Sequence, residues 1–153
     1  LGVLRTVLEL PATSNRITEA ARSGHPETLL LLVPLTILLV APAEELLNRN
    51  VIQKYLYGPF SRAGAVAVAS VVFASAHVFS YFGDSVVAMA VSLASVFVLS
   101  LVLGAIYERT ENLLVPIAVH GFFNAAQFLL LYVAIVFGEV DQESMNQAAV
   151  ALF

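Results

Sequence analysis

Apolar residues fill this chain in four long runs separated by short polar breaks: about Leu29 to Leu47, Ala63 to Phe82, Val86 to Tyr107 and Leu113 to Phe137. Each approaches or exceeds the roughly 17–25 apolar residues that carry a helix across a bilayer. Stretches such as Val96 to Leu103 and Phe128 to Phe137 are almost continuously apolar, whereas a transmembrane barrel strand alternates polar and apolar positions over about ten residues. The hydrocarbon core holds no water for free backbone N–H and C=O groups, so helices are the remaining solution. The pattern predicts an all-α, polytopic membrane helical bundle with about four transmembrane helices, integral to the cell membrane.

Three segments follow from the same pattern. Residues 1–28 mix Arg5, Glu9, Arg16, Glu19, Arg22 and Glu27 with leucines and valines, as an N-terminal amphipathic, interfacial segment does. Pro11 interrupts it, and Thr13-Ser14-Asn15 offers an N-cap for a second short helix. Residues 29–137 form the membrane core. Residues 138–153 carry Glu139, Asp141 and Glu143 without a base, an acidic C-terminal tail outside the bilayer. A leading Leu instead of Met is what a fragment or a processed form would show, and helices upstream of the first run are then to be expected.

Within the core, Pro34 and Pro42 should bend the first helix. It is expected to continue past Arg49 to Tyr57 and to stop at Gly58-Pro59. Small residues four apart, Ala65 and Ala69, Ser70 and Ala74, and Ser100 and Gly104, let helix backbones approach. The third run has no ionisable residue between Val86 and Ile106 and reads as scaffold, joined to the second by Gly83-Asp84-Ser85 as an antiparallel hairpin. Arg49, Lys54, Arg62 and Arg109 fall on one side of the membrane and Arg5, Arg16 and Arg22 on the other, a split that puts the first group in the cytoplasm.

Composition narrows the chemistry. Of 153 residues, 59% are hydrophobic and 12% charged, with a mean hydropathy of +0.89, well outside soluble domains. There is no cysteine, which removes disulfides, a thiol nucleophile and thiolate metal sites. The lipid bilayer is an expected partner, and nucleic acid is not.

Against this background the ionisable residues inside the apolar runs are costly and so point to a shared function. Glu44 and Glu45 are adjacent, about 100° apart around a helix, and cannot do the same job. Glu45 precedes Arg49 by four residues, the favourable order for an ion pair on one helix face, which leaves Glu44 as the free carboxylate. Taken alone, the three would simply mark a helix end at the interface. His77 lies within the second run with Phe73 one turn earlier, a packing wall; His120 and Asn124 share a face of the fourth. His25 precedes a proline outside the runs and has no role.

A carboxylate, two imidazoles and an amide suit water activation: Glu44 deprotonates water for attack on a peptide carbonyl, while His77, His120 and Asn124 stabilise the oxyanion. In an alternative arrangement His77 and His120, with Glu44, hold a Zn2+ ion that acidifies the water. No His-Glu-x-x-His helix is present. Depth strains both versions: Glu44 and His120 lie within about 10 Å of the Arg49 side and His77 nearer to about 20 Å, so a tilt, a bend at Pro42 or an invaginated second helix is needed.

The three motifs, Glu44-Glu45-x-x-x-Arg49, Phe73-x-x-x-His77 and His120-x-x-x-Asn124, occur in the order that marks the CPBP family, the CAAX proteases and bacteriocin-processing enzymes that include type II CAAX prenyl endopeptidases. The chain resembles that family over about Leu29 to Phe137, including the approach Arg109 to Pro116 before the third motif. The resemblance implies a four-helix core with a glutamate-dependent endopeptidase site: Glu44 as base, Glu45 and Arg49 supporting it, and His77, His120 and Asn124 completing it. It also implies a peptide or lipidated protein as substrate partner, since members acting on prenylated CAAX substrates release the three residues after a lipidated cysteine, and that other members serve as non-proteolytic scaffolds or in bacteriocin self-immunity. Outside the family, a bis-histidine membrane haem on His77 and His120 leaves the glutamates and Asn124 without work, and a proton or ion pathway would use the same groups as relays.

Overall fold

The two prolines of the first apolar run do not break it. In the computed structural model, which describes residues 23–81 and 85–137, Glu27–Leu56 is one helical rod of 30 residues, α1. It alternates between α-helical turns and two wider π-helical stretches, Thr36–Val40 and Leu46–Gln53. The first wide stretch lies just ahead of Pro42, and the Ala41 N–H reaches back five residues to the Thr36 carbonyl. Such a turn makes room for a proline ring and takes up the bend. The helix ends at Leu56 with Tyr57 as its cap, just before Gly58-Pro59, close to where it was expected to stop. Of the amphipathic segment expected over residues 1–28, residues 1–22 lie outside the described residues, as do the Gly83-Asp84 connector and the acidic tail, while Glu27 and Thr28 already belong to α1.

Three more helices follow: α2 (Arg62–Ala76), α3 (Val86–Thr110) and α4 (Leu114–Phe137). The all-α bundle expected from the sequence is what the described residues form, with no strand among them. Three of the four helices are long and apolar enough to cross a membrane: α1, α3 and α4. The second is not. The apolar run Ala63 to Phe82 yields only 15 helical residues, about 22 Å against the roughly 30 Å hydrocarbon core. After α2 the chain tightens into a 3₁₀ turn at Val78–Tyr81. His77 is therefore the C-terminal cap of α2, not a residue deep in a span. Serines start two of the helices: Ser61 Oγ accepts from Gly64 N–H and Ser85 Oγ from Ala88 N–H, satisfying donors that a helix start leaves free.

The helices pack in two pairs, α1 along α4 and α2 along α3. Leu29, Phe128 and Leu131 form the apolar core between α1 and α4, with Leu32, Val33, Tyr132 and Ile135 against it. Around this interior the large apolar side chains face outward: Leu31, Leu38, Phe122 and Phe137 are among the exposed ones. Polar groups, Thr36, Glu45, Arg49, Gln53, Ser92, Ser100 and His120, are buried. That inversion suits lipid, where helices associate through close contact and buried polar bonds rather than through apolar area.

Gly121 sets the α1–α4 approach. A Cβ built there would stand 3.2 Å from Ile37 Cα and 3.5 Å from Ala41 Cβ. Ile37 is backbone at that contact and cannot swing aside. Gly121→Val is expected to lower stability by about 1–3 kcal/mol, read as an earlier thermal unfolding midpoint in detergent, and to disturb His120 beside it.

Candidate active site

The site begins with a spacing on α1. Glu45, Arg49, Gln53 and Tyr57 are four residues apart, a step that drifts around a helix of 3.6 residues per turn. The π-helical stretch Leu46–Gln53, where Lys54 N–H reaches the Arg49 carbonyl, widens the turn and offsets that drift. The four side chains therefore join end to end. Arg49 Nε donates to Glu45 Oε2 at 2.7 Å and Arg49 Nη1 to Gln53 Oε1 at 3.4 Å; Gln53 Nε2 donates to Tyr57 Oη at 2.9 Å and to the Gly104 carbonyl at 3.3 Å.

Arg49 and Glu45 are both 0% exposed. A buried ion pair is tolerable only when its remaining polar atoms are also satisfied, and here neighbouring helices supply them. Arg49 Nη2 donates to Ser100 Oγ at 3.0 Å. Asn48, with its amide oxygen turned toward the guanidinium, accepts from Nη1 and Nη2 at 3.1 and 3.3 Å and donates to the Ala69 carbonyl at 3.2 Å. Gly104 makes the space: a Cβ there would meet Val66 Cγ1 at 2.9 Å, Arg49 Nη1 at 3.0 Å and Gln53 Oε1 at 3.1 Å. Beyond Gln53, the Tyr57 hydroxyl donates to Glu108. Burial first, and then the bond to Glu108, raise the Tyr57 phenol above its ordinary range, so it remains a donor.

At the other end of the row, α4 brings in His120, which is 4% exposed. Its Nδ1 lies 2.9 Å from Glu45 Oε1. A carboxylate held by arginine only accepts, so His120 Nδ1–H donates and the ring orientation is fixed. The opposite nitrogen, Nε2, lies 3.7 Å from Glu44 Oε2, too far for a direct hydrogen bond and suitable for a shared water. His120 thus stands between the two glutamates. Glu45 is consumed by Arg49 and His120, whereas the Glu44 side chain is 34% exposed and has no other ion pair among the described residues.

Asn124, one turn beyond His120, donates to Thr36 Oγ1 at 3.3 Å, in the first π-helical stretch of α1. His77 reaches the group only through an aromatic ring. Its centroid is 4.6 Å from that of Phe73, which in turn stands 6.1 Å from His120, and Arg49 lies 5.9 Å over the same Phe73 ring. His77 Nδ1 is 2.8 Å from the Phe73 carbonyl; a carbonyl only accepts, so Nδ1 carries the proton and Nε2 is the basic nitrogen of the neutral ring.

The zinc set offered by the sequence, His77 and His120 with Glu44, is not assembled. No three His, Cys, Asp or Glu side chains among the described residues are grouped to hold a metal ion. These residues do not fit a structural or catalytic zinc site, which needs at least three convergent protein ligands.

A family model, type II CAAX prenyl endopeptidase Rce1-like, matches residues 26–126, about two thirds of the chain. The chain belongs to this family. No curated protein and no solved structure matched. The matched stretch runs from just before α1 to just past Asn124 and so encloses every residue of the site. Membership of the Rce1-like family, with three helices long enough to cross a bilayer, makes this an integral membrane protein and a protease of the CAAX type in general terms.

Sequence reasoning missed Thr36, Gln53, Ser100, Tyr57 and Glu108. The four-residue series 45, 49, 53, 57 was a usable signal for Gln53 and Tyr57. Ser100 and Gly104 stood out only as small residues, and nothing in the sequence joined them to Arg49.

Proposed function

We propose that the protein hydrolyses a peptide bond at the membrane by means of water activated by Glu44. The observation that carries this reading is the division between the glutamates: Glu45 is buried between Arg49 and His120, while Glu44 is accessible and faces His120 Nε2. Water bound between Glu44 Oε2 and His120 Nε2 gives up a proton to the carboxylate as its oxygen attacks the carbonyl carbon. The tetrahedral oxyanion takes a hydrogen bond from the Asn124 amide, while His120 Nε2 accepts one from the O–H that the attacking oxygen retains. The proton held by Glu44 then passes to the departing amine, the C–N bond breaks, and Glu44 is again a carboxylate. Glu45 and Arg49 are positioning residues in this scheme: they hold His120 by Nδ1 and present Nε2. His77, with its proton fixed on Nδ1, offers Nε2 at the edge of the site as a substrate contact.

The substrate class follows from the surroundings. One turn from Glu44 and His120 the side chains Leu47 and Phe123 are exposed on the lipid-facing surface, so a substrate carried in the bilayer reaches the site sideways. We take it to be a peptide beside a lipidated cysteine, or a membrane-anchored precursor. The test is mass spectrometry of peptides incubated with the reconstituted protein, each offered with and without its lipid. Cleavage confined to the lipid-borne forms, and lost with Glu44→Ala, is the expected result. Equal cleavage of soluble peptides would remove the bilayer route.

A further inference from the structure

The polar row of α1 does not end in solvent. It ends in a cleft of about 460 Å³ lined by Lys54, Tyr57, Arg62, Tyr107, Glu108 and Glu111. These residues come from the C-terminal ends of α1 and α3 and the N-terminal end of α2. The cleft therefore lies where two apolar spans leave the hydrocarbon, at the level of lipid headgroups.

Its charges are incompletely matched. Arg62 serves two carboxylates, donating to Glu108 Oε1 at 3.1 Å and standing 4.0 Å from Glu111 Oε1. One guanidinium against two carboxylates leaves a net negative charge, which falls to Glu111, the more distant and, at 77%, the more exposed. Lys54 is the reverse case. Its ammonium bonds the neutral amide of Asn50 and lies 5.9 Å over the Tyr107 ring, with no carboxylate within ion-pair reach among the described residues. Glu111 is moreover held at φ +49°, in the left-handed region that side-chain-bearing residues seldom adopt. Its N–H caps α3 by bonding the Tyr107 carbonyl, which holds its backbone at the rim of the cleft.

We infer that this cleft binds the headgroup of a zwitterionic phospholipid bearing a primary amine, with its phosphate on Lys54 and its ammonium on Glu111. A lysine with no carboxylate partner and a carboxylate held only at 4.0 Å, together in a single cleft, match a ligand that carries both charges. A primary ammonium donates hydrogen bonds to a carboxylate; a quaternary one cannot donate.

The test reads binding, so its outcome is separate from that of the proposed hydrolysis. Protein stripped of lipid in detergent is titrated with short-chain phosphatidylethanolamine, phosphatidylcholine and phosphatidylglycerol, and with inorganic phosphate, by native mass spectrometry. Phosphatidylethanolamine is expected to bind most tightly. Lys54→Gln and Glu111→Gln should each weaken it about tenfold, the loss of one charge-assisted contact, and Glu111→Gln should abolish the preference over phosphatidylcholine. Both side chains are exposed, so thermal unfolding of the variants should match the parent within a degree or two. Equal affinity for the three lipids, a preference for phosphatidylglycerol, binding of inorganic phosphate as tight as that of lipid, or indifference to both substitutions would each overturn the assignment.

Discussion

Arg49→Met should destabilise the protein by about 3–5 kcal/mol and abolish cleavage, because it leaves the Glu45 carboxylate buried without its counter-charge. Glu45 is 0% exposed and has two charged or chargeable partners, Arg49 at 2.7 Å and His120 at 2.9 Å. With Arg49 gone, Glu45 must take up a proton or pull His120 toward it. Either response alters the donor on His120 Nδ1 and, through the ring, the nitrogen facing Glu44. Glu45→Met with Arg49→Met separates the two consequences. Replacing a buried pair by apolar residues of similar size is often neutral for stability, so the double variant should recover most of the lost unfolding midpoint. It should remain inactive, because His120 has lost the carboxylate that fixes its tautomer. Recovery of both stability and cleavage would show that Glu45 and Arg49 serve the fold alone.

Gly104→Ala should be the most damaging single-methyl change in the bundle. In a helix interior Ala is ordinarily favoured over Gly by about 1 kcal/mol, and on α3 that preference acts in the variant's favour. It is outweighed by what the new carbon meets: Val66 Cγ1 at 2.9 Å, Arg49 Nη1 at 3.0 Å and Gln53 Oε1 at 3.1 Å. The guanidinium cannot retreat without stretching its bonds to Glu45, Ser100 or Asn48. We expect a net loss of about 1–3 kcal/mol and cleavage reduced at least in proportion to the displacement of Glu45. Gly58→Ala, whose added carbon would lie at an ordinary 3.5 Å from the Tyr55 carbonyl, is the matched control and should leave both quantities unchanged.

Much of the framework was legible in the sequence because lipid imposes simple rules. Long apolar runs can only be helices, and α1, α3 and α4 lie close to where those runs predicted them. The i, i+4 ion pair of Glu45 with Arg49, and the different surroundings of Glu44 and Glu45, also followed from helix geometry alone. The second run misled. Val78, Phe79, Tyr81 and Phe82 extend its apolar composition past the point where the helix stops, and hydropathy does not register a 3₁₀ turn. That early stop places His77 as a cap whose contact with His120 runs through Phe73. The π-helical stretches were equally invisible, since they arise from packing around Pro42 and around the buried Arg49. Asn124 matched its expected face, but its partner, Thr36, comes from another helix and has no signature in sequence.

If Glu44 is the base and Glu45 the anchor of Arg49 and His120, their paired carboxamide variants must behave differently. Cleavage and thermal unfolding are measured side by side for the parent, Glu44→Gln and Glu45→Gln. The geometry predicts that Glu44→Gln unfolds at the parent's temperature and cuts nothing, since an accessible carboxylate that takes a proton has been replaced by an amide that cannot. Glu45→Gln should unfold earlier, having lost the anion that balances Arg49. A folded Glu44→Gln protein that cleaves at the parent's rate would contradict the account.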